Sequence, residues 1–517
     1  MKNKSFIIEN LKKIKFIFFL LLIISTFIQF FIITDYKNVL SVFYLFISNL
    51  MLAIYCFNLN NLIKYPISTF SLLFTNLYSN CSAIFLKSIF FESVDLNLYN
   101  PNFTFLYLLL SNFLLIFLHI VYKNSLFLES IKKYIQKIFL WLNIEKFNNK
   151  KFVFFLGLGS LLLAAISVTF FGKIIYNPNN SGPNILGDIL NGTNIFFICP
   201  FIIFYTSQLY GYKLIKKDKF YLIISFILVI YISLGLNARS AFFDIIFVGM
   251  LIYFFLILIG EIEIKILRFN KLIFILLILI TLGNFIDRFS NTYLEVRASR
   301  DITNPIENIK SHLKNLGAEK IRSSNFDNST KIFGEDYYKL DILNRMNIVK
   351  ATDNILFANR YLNTIQVDRI LNYELNQIIA LLPNPIIKIF SNKFNKNEYL
   401  EFTITSKIYK EVDKFFEGGK SNGISFGILL IYENFFISLI FLLTVLLSFA
   451  LLDAFKINDK YLTIFFILIY STSGSLINLI SSGSVSDMLG TLFRIIPQGI
   501  LFYYIIGLLY NKFNKSN

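Results

Sequence analysis

Seven of the chain's ten arginines fall between Asp287 and Ser425, a polar, charged interval set into an otherwise apolar chain. A planar guanidinium forks onto a carboxylate or phosphate in a way that an ammonium does not, so this clustering points to recognition of an anion. Arg288, Arg360 and Arg369 are the candidate contacts within the interval, the plain alternative for each being a surface ion pair. Arg239 stands in Gly235-Leu236-Asn237-Ala238-Arg239-Ser240, a sequence for a tight turn that would fix a cation at a membrane interface. Its bland role would be topological or lipid-anchoring, and Arg494, at the end of the last apolar run, has the same alternative of snorkelling to headgroups.

Two acids lie inside apolar segments of membrane length: Asp244, five residues beyond Arg239, and Glu433, next to Tyr432 in the segment that follows the polar interval. A carboxylate at mid-membrane costs about 2.5–3.5 kcal/mol on insertion scales, so each is a functional candidate, with interhelical pairing as the structural alternative. Beside an anionic substrate a desolvated carboxyl has a raised pKa and can orient or deprotonate an attacking hydroxyl. His119 reads as structural, and His312 has no ligand set around it. No GxSxG, Walker A or GxGxxG loop is present, which argues against a serine hydrolase and an ATP-driven pump. Cys56, Cys81 and Cys199 make no CxxC pair, so neither a disulfide framework nor a zinc site is expected.

The elements that must carry these residues follow from composition. With 56% hydrophobic, 18% aromatic and only 16% charged residues, the chain is an integral membrane protein. The net charge of +17 sits largely in short loops between apolar runs, where it orients the chain, so nucleic acid is not an expected partner. At about 20 residues per span, twelve helices are expected near 16–34, 39–57, 66–90, 103–122, 152–172, 195–215, 220–236, 241–260, 272–286, 426–452, 461–480 and 493–510. Pro66, Asn76, Asn80 and Lys87 interrupt the third. Lys123 to Lys151 holds seven lysines, whereas Glu92 to Asn102 holds none, which puts both termini in the cytoplasm and the polar interval outside. Three parts result: spans 1–9 in 1–286, an outer loop domain in 287–425 and spans 10–12 in 426–517. Within the loop, helical periodicity is expected over 303–316, 337–358, 360–382 and 398–417, the third ended by Pro383 and Pro385.

This layout resembles the Wzy-type O-antigen or oligosaccharide repeat-unit polymerases, to which the O-antigen ligases are related. Three stretches carry the likeness: Leu234-Gly-Leu-Asn-Ala-Arg239-Ser240-Ala-Phe-Phe; Leu381-Leu-Pro383-Asn-Pro385; and Ser421-Asn-Gly-Ile-Ser-Phe-Gly427 with Tyr432-Glu-Asn434-Phe435. Phe436 stands where the family tends to have glycine, and the Arg-x10-Gly loop pattern of some members is missing. The resemblance implies an all-α, GT-C-like enzyme of the bacterial inner membrane. It would perform a metal-independent, inverting transfer at the periplasmic face, without a cofactor, on undecaprenyl-diphosphate-linked glycans. Membrane lipids, a chain-length regulator and a flippase would be its partners. Arg239, Arg288, Arg360, Arg369 and Tyr432 would then hold diphosphate or glycan, and Glu433 or Asp244 would orient the acceptor hydroxyl. A lipid-linked oligosaccharide flippase and an envelope scaffold are the readings from other classes. A flippase would line a central cavity with charge, and a scaffold would not require arginines.

Overall fold

The computed structural model describes residues 3–171, 194–206, 209, 213–235, 240–262, 307, 310, 311, 314, 333, 334, 337, 338, 344, 348–382, 386, 387, 389, 394–400, 402–414, 416, 425–471 and 484–515. Among these residues the regular elements are helices apart from one hairpin, β1 (Lys456–Ile457) with β2 (Lys460–Tyr461), turned by left-handed Asn458 and Asp459. Seven described helical stretches are long and apolar enough to cross a membrane: Phe6–Ile32, Tyr36–Cys56, Pro101–Asn124, Lys150–Thr169, Lys216–Gly235, Phe435–Ala454 and Val485–Lys512. The expected span at 272–286 lies outside the described residues.

The first helix, α1 (Asn3–Ile32), starts well before its apolar run, because its polar end is docked. Asn10 Nδ2 donates to Ile257 O at 2.9 Å and Ile262 O at 2.7 Å, at the end of a later helix. After α2 (Val39–Cys56) and the short α3 (Leu59–Lys64), the expected third span over 66–90 is a broken rod made of α4 (Pro66–Asn76), a π-helical turn over Leu77–Cys81 and α5 (Ser82–Ile89). Every residue of α4 is buried. A helix that faces protein on all sides has no need of a lipid-compatible surface, which explains its polar residues. Asn76 bonds Asn49 at 2.8 Å, Asn112 bonds Asn76 at 3.0 Å, and Asn80 bonds Ser48 at 2.6 Å, so α2, this rod and α6 (Pro101–Asn124) share one buried amide network.

The chain continues through α7 (Leu126–Trp141), α8 (Lys150–Phe171), α9 (Cys199–Thr206), α10 (Lys216–Gly235) and α11 (Ser240–Leu258). Of the polar interval, the described helices are α12 (Val349–Asn359), α13 (Thr364–Ala380), α14 (Lys396–Leu400) and α15 (Ile404–Val412). α13 lies within the stretch expected over 360–382 but starts later, at an Asn363–Gln366 capping box, and ends at Ala380. Two expectations are corrected. Tyr337 and Tyr338 precede α12 in non-helical backbone held by Asn344, and the helix expected over 398–417 is divided where Thr403 caps α15. The helix expected over 303–316 is described only at residues 307, 310, 311 and 314, all helical.

The expected span 426–452 is also two helices, α16 (Ser425–Tyr432) and α17 (Phe435–Ala454), with Asn434 capping the second. After α18 (Thr463–Ser471), the last rod is α19 (Val485–Gly490), a π-helical turn over Thr491–Ile495, and α20 (Ile496–Lys515). It begins earlier than 493 because Ser484 and Asp487 form a capping box.

Candidate functional site

α13 buries Ile370, Glu374, Gln377 and Ala380, one stripe at helical spacing. Sequence periodicity favours the other side, Ile365, Leu371, Leu375, Ile378 and Leu382, yet Ile365, Leu375 and Leu382 are exposed. The polar stripe goes inward because it finds partners there. Glu374 accepts from the Ser486 amide at 3.1 Å with one oxygen and from the Tyr432 hydroxyl with the other. Gln377 accepts from the Ser486 hydroxyl at 2.9 Å and donates to the Tyr399 and Phe402 carbonyls, each at 2.8 Å. One carboxyl and one amide thus hold α13 and α14 with its following turn to α16 and to the start of the last rod.

Burial pushes the Glu374 carboxyl up to about 7, with neighbouring Asp487 adding to the rise, while the bonds from Tyr432 and Ser486 pull the other way. The helix start at Ser486 supplies an oriented N–H, which suits the ionised form when the proton leaves. Glu374 can therefore exchange a proton near neutrality, which an exposed glutamate does not do.

Further along the same contact, Leu381 presses on Gly490, with a methyl carbon 3.0 Å from where a β-carbon would sit. Lys396 donates to the neighbouring Leu382 carbonyl at 2.9 Å. Arg494 follows Gly490 by four residues, within the π-helical turn, and is exposed. Partial burial, then the Arg494 charge, lower the Lys396 ammonium pKa, so the two cations feel one another. An acid and a pair of cations consequently flank the first turns of one rod. From Ser486 to Arg494 the helix rises roughly 12 Å at 1.5 Å per residue.

Of the residues singled out in the sequence, Tyr432 enters this cluster, buried and bonded to Glu374. Glu433 does not: it is the exposed break between α16 and α17, with φ 46°, and not a carboxyl within a continuous span. Asp244 belongs to the first turns of α11. Arg239 and Arg288 lie outside the described residues. Arg369 is exposed and pairs with Glu411 of α15 at 3.4 Å. Arg360, at the end of α12, borders a shallow indentation with Tyr99, Asn100 and Asp353. Sequence reasoning missed Glu374 because it lies outside the spans. Its one signal is the Glu374–Gln377 pair on the stripe between Ile370 and Ala380.

Ser68, His119 and Asp453 also meet, but as structure. Ser68 has one hydroxyl proton, and its 2.6 Å contact donates it to Asp453. His119 Nε2, 2.9 Å from that oxygen, must then donate to it, while Nδ1 accepts from Tyr55 at 2.7 Å. A histidine donating to the serine is not its base. Asp453 accepts in addition from the Ile67 and Ser68 amides at 3.2 and 3.1 Å, capping the start of α4. Among the described residues, no group of three His, Cys, Asp or Glu side chains is placed to hold a metal ion. No family model, curated protein or solved structure matches the chain.

Proposed function

We propose that the chain is a metal-independent, inverting glycosyltransferase that polymerises undecaprenyl-diphosphate-linked oligosaccharide units at the periplasmic face of a bacterial inner membrane. It would have about 12 spans in a GT-C-like arrangement, both termini cytoplasmic and residues 287–425 outside. The observation that carries this reading is the buried Glu374 carboxyl, poised near pH 7 where the outer helices meet the last rod, with Lys396 and Arg494 beside the same rod.

In the proposed step, a hydroxyl oxygen of the incoming unit's non-reducing sugar attacks the anomeric carbon of the growing glycan. The bond from that carbon to the lipid diphosphate breaks, the hydroxyl proton passes to the Glu374 carboxylate, and undecaprenyl diphosphate leaves with the bonding electron pair. Arg494 and Lys396 offset the charge that develops on the diphosphate, a task that needs preorganised cations at the place where charge appears. Tyr432 is a positioning residue, which yields its bond to Glu374 as the acceptor hydroxyl arrives. Long lipid tails stay in the bilayer while the outer helices hold the sugars.

The test is genetic. Deleting the gene should abolish the polymer ladder on a gel of surface glycan and leave single-repeat material. Loss of all attached glycan would instead assign a ligase, and accumulation of units on the cytoplasmic leaflet a flippase. An unchanged ladder would overturn the reading.

A further inference from the structure

α7 is a 16-residue amphipathic helix at the lysine-rich end of the bundle, a few residues too short to cross a bilayer. At 3.6 residues per turn, its side chains divide into three faces. Leu128, Ile131, Ile135 and Phe139 turn to the protein, where Phe139 stacks on Phe455 with centroids 5.2 Å apart and Gln136 donates to Lys456 O at 2.7 Å. Phe127, Tyr134, Ile138 and Trp141 form a second stripe within about 60° of arc. This stripe is uncovered: Phe127 is 72% exposed, Tyr134 66% and Trp141 79%. Lys133 and Lys137 follow on its far side, both exposed.

Water is a poor neighbour for that stripe, and an acyl interior is a poor one for the lysines. Only the boundary between acyl chains and headgroups satisfies both at once. The lysines of this end are not all equivalent. Lys123 bonds Asn61 at 2.9 Å, Lys132 lies over the Tyr65 ring and Lys150 pairs with Asp218 at 2.7 Å, so these are spent within the protein. Among the described residues Lys133 pairs only with exposed Glu129 of the same helix, at 2.8 Å, a surface contact worth about 0.3–0.5 kcal/mol that a phosphate can replace. Each basic side chain near an anionic surface contributes about 1 kcal/mol of attraction.

We propose that α7 lies in the plane of the membrane and binds anionic phospholipid headgroups through Lys133 and Lys137, with Phe127, Tyr134, Ile138 and Trp141 inserted at the level of the upper acyl chains. The helix is then a lipid-sensing strut against the hairpin end of α17, independent of any reaction on the opposite side.

Trp141 is the only tryptophan in the chain, so intrinsic fluorescence reports on α7 alone. The full chain in liposomes should show at least twofold quenching by phosphatidylcholine brominated at carbons 6 and 7, and weaker quenching by the 11,12-bromo lipid. In mixed liposomes, brominated phosphatidylglycerol at 30% should quench at least twice as strongly as the same fraction of brominated phosphatidylcholine. The double variant K133Q/K137Q should keep the depth profile and lose the preference for phosphatidylglycerol. Strong acrylamide quenching with no bromolipid effect would overturn the insertion. Equal quenching by the two headgroups in the wild-type chain would overturn the anion binding. A preference that survives in K133Q/K137Q would overturn the assignment to these lysines. Because both substitutions are on an exposed face, the variant's helix content by circular dichroism should match the wild type.

Discussion

The Tyr432 hydroxyl donates to Glu374, so the last residue of α16 closes on the middle of α13 across 58 positions of sequence. This bond, with the Ser486 amide on the other carboxyl oxygen, makes one side chain the meeting point of α13, the segment entering α17 and the last rod. Replacing Glu374 by glutamine keeps a hydrogen-bonding group of the same shape and removes the titrating one. E374Q should therefore fold, insert and retain its α13 contact, yet lose the polymer ladder. E374A should in addition loosen α13 from its neighbours, because it strands the buried tyrosine hydroxyl and the Ser486 amide, each at a cost of about 1–3 kcal/mol. Full ladders from E374Q would remove Glu374 from the proposed chemistry.

Acidity sets a second expectation. Folding raises the Glu374 pKa from 4.5 to about 7, so the folded state binds the proton more tightly than the unfolded chain does. The resulting stabilisation of the α13 contact is fully present below about pH 4.5 and is lost as pH rises through about 7, a swing on the order of 3 kcal/mol. Hydrogen exchange of the 364–380 amides, corrected for intrinsic rates, should accordingly show less protection at pH 8.5 than at pH 5. The difference should vanish in E374Q.

The arginines separate by what surrounds them. Arg369 is 62% exposed and its pair with Glu411 spans 3.4 Å, so R369A should change stability by less than about 1 kcal/mol. Its polymer yield should stay within about twofold of wild type. The Arg494 charge acts on Lys396, and the two cations stand in the proposed diphosphate position. R494A should lower polymer formation at least tenfold, about 1.4 kcal/mol in a barrier. R494K should recover only part of it, since an ammonium lacks the guanidinium fork. Polymer yield per cell, normalised to protein in the membrane fraction, distinguishes the two.

Asp353 anchors α12 to the start of α6. It is buried and accepts from the Tyr99 amide at 2.8 Å, the Asn100 amide at 3.1 Å and the Thr104 hydroxyl at 3.0 Å, with Lys350 at 3.2 Å. D353A leaves several donors and one ammonium without this partner, a loss of several kcal/mol. Limited proteolysis should then cut the polar interval around α12 much faster than in the wild type, while the spans still insert. Cleavage at the wild-type rate would show that the anchor is redundant.

Glu433 is a left-handed residue at the break between α16 and α17. Glycine adopts that backbone without a steric penalty, so E433G should preserve the fold and gain up to about 1 kcal/mol of stability by relieving the strained φ. Its polymer ladder should equal that of the wild type. A lost ladder with intact protein would return the catalytic carboxyl to Glu433.

Long apolar runs were enough to declare a membrane protein, because about 20 apolar residues in a helix match the thickness of a hydrocarbon layer, and this signal is local in sequence. Local periodicity also placed α13, within the stretch ended by Pro383 and Pro385, whereas its Asn363 cap and the Ser484 cap that starts the last rod before 493 came from the structure. Which face of α13 turns inward was not legible. Its Leu375 side and its Glu374 side are both periodic, and the choice rests on a tyrosine hydroxyl and a helix-start amide 58 and 112 residues away. The break at Glu433 was hidden for a related reason: hydropathy is blind to a single left-handed residue inside an apolar run. The third span shows the converse, since polar Asn76, Asn80 and Lys87 look unfit for lipid until α4 and its neighbours are seen to face protein. Sequence by itself determined the solvent each segment can tolerate. Only the tertiary structure decided which polar groups satisfy one another, because a buried hydrogen bond needs a partner whose position no local pattern encodes.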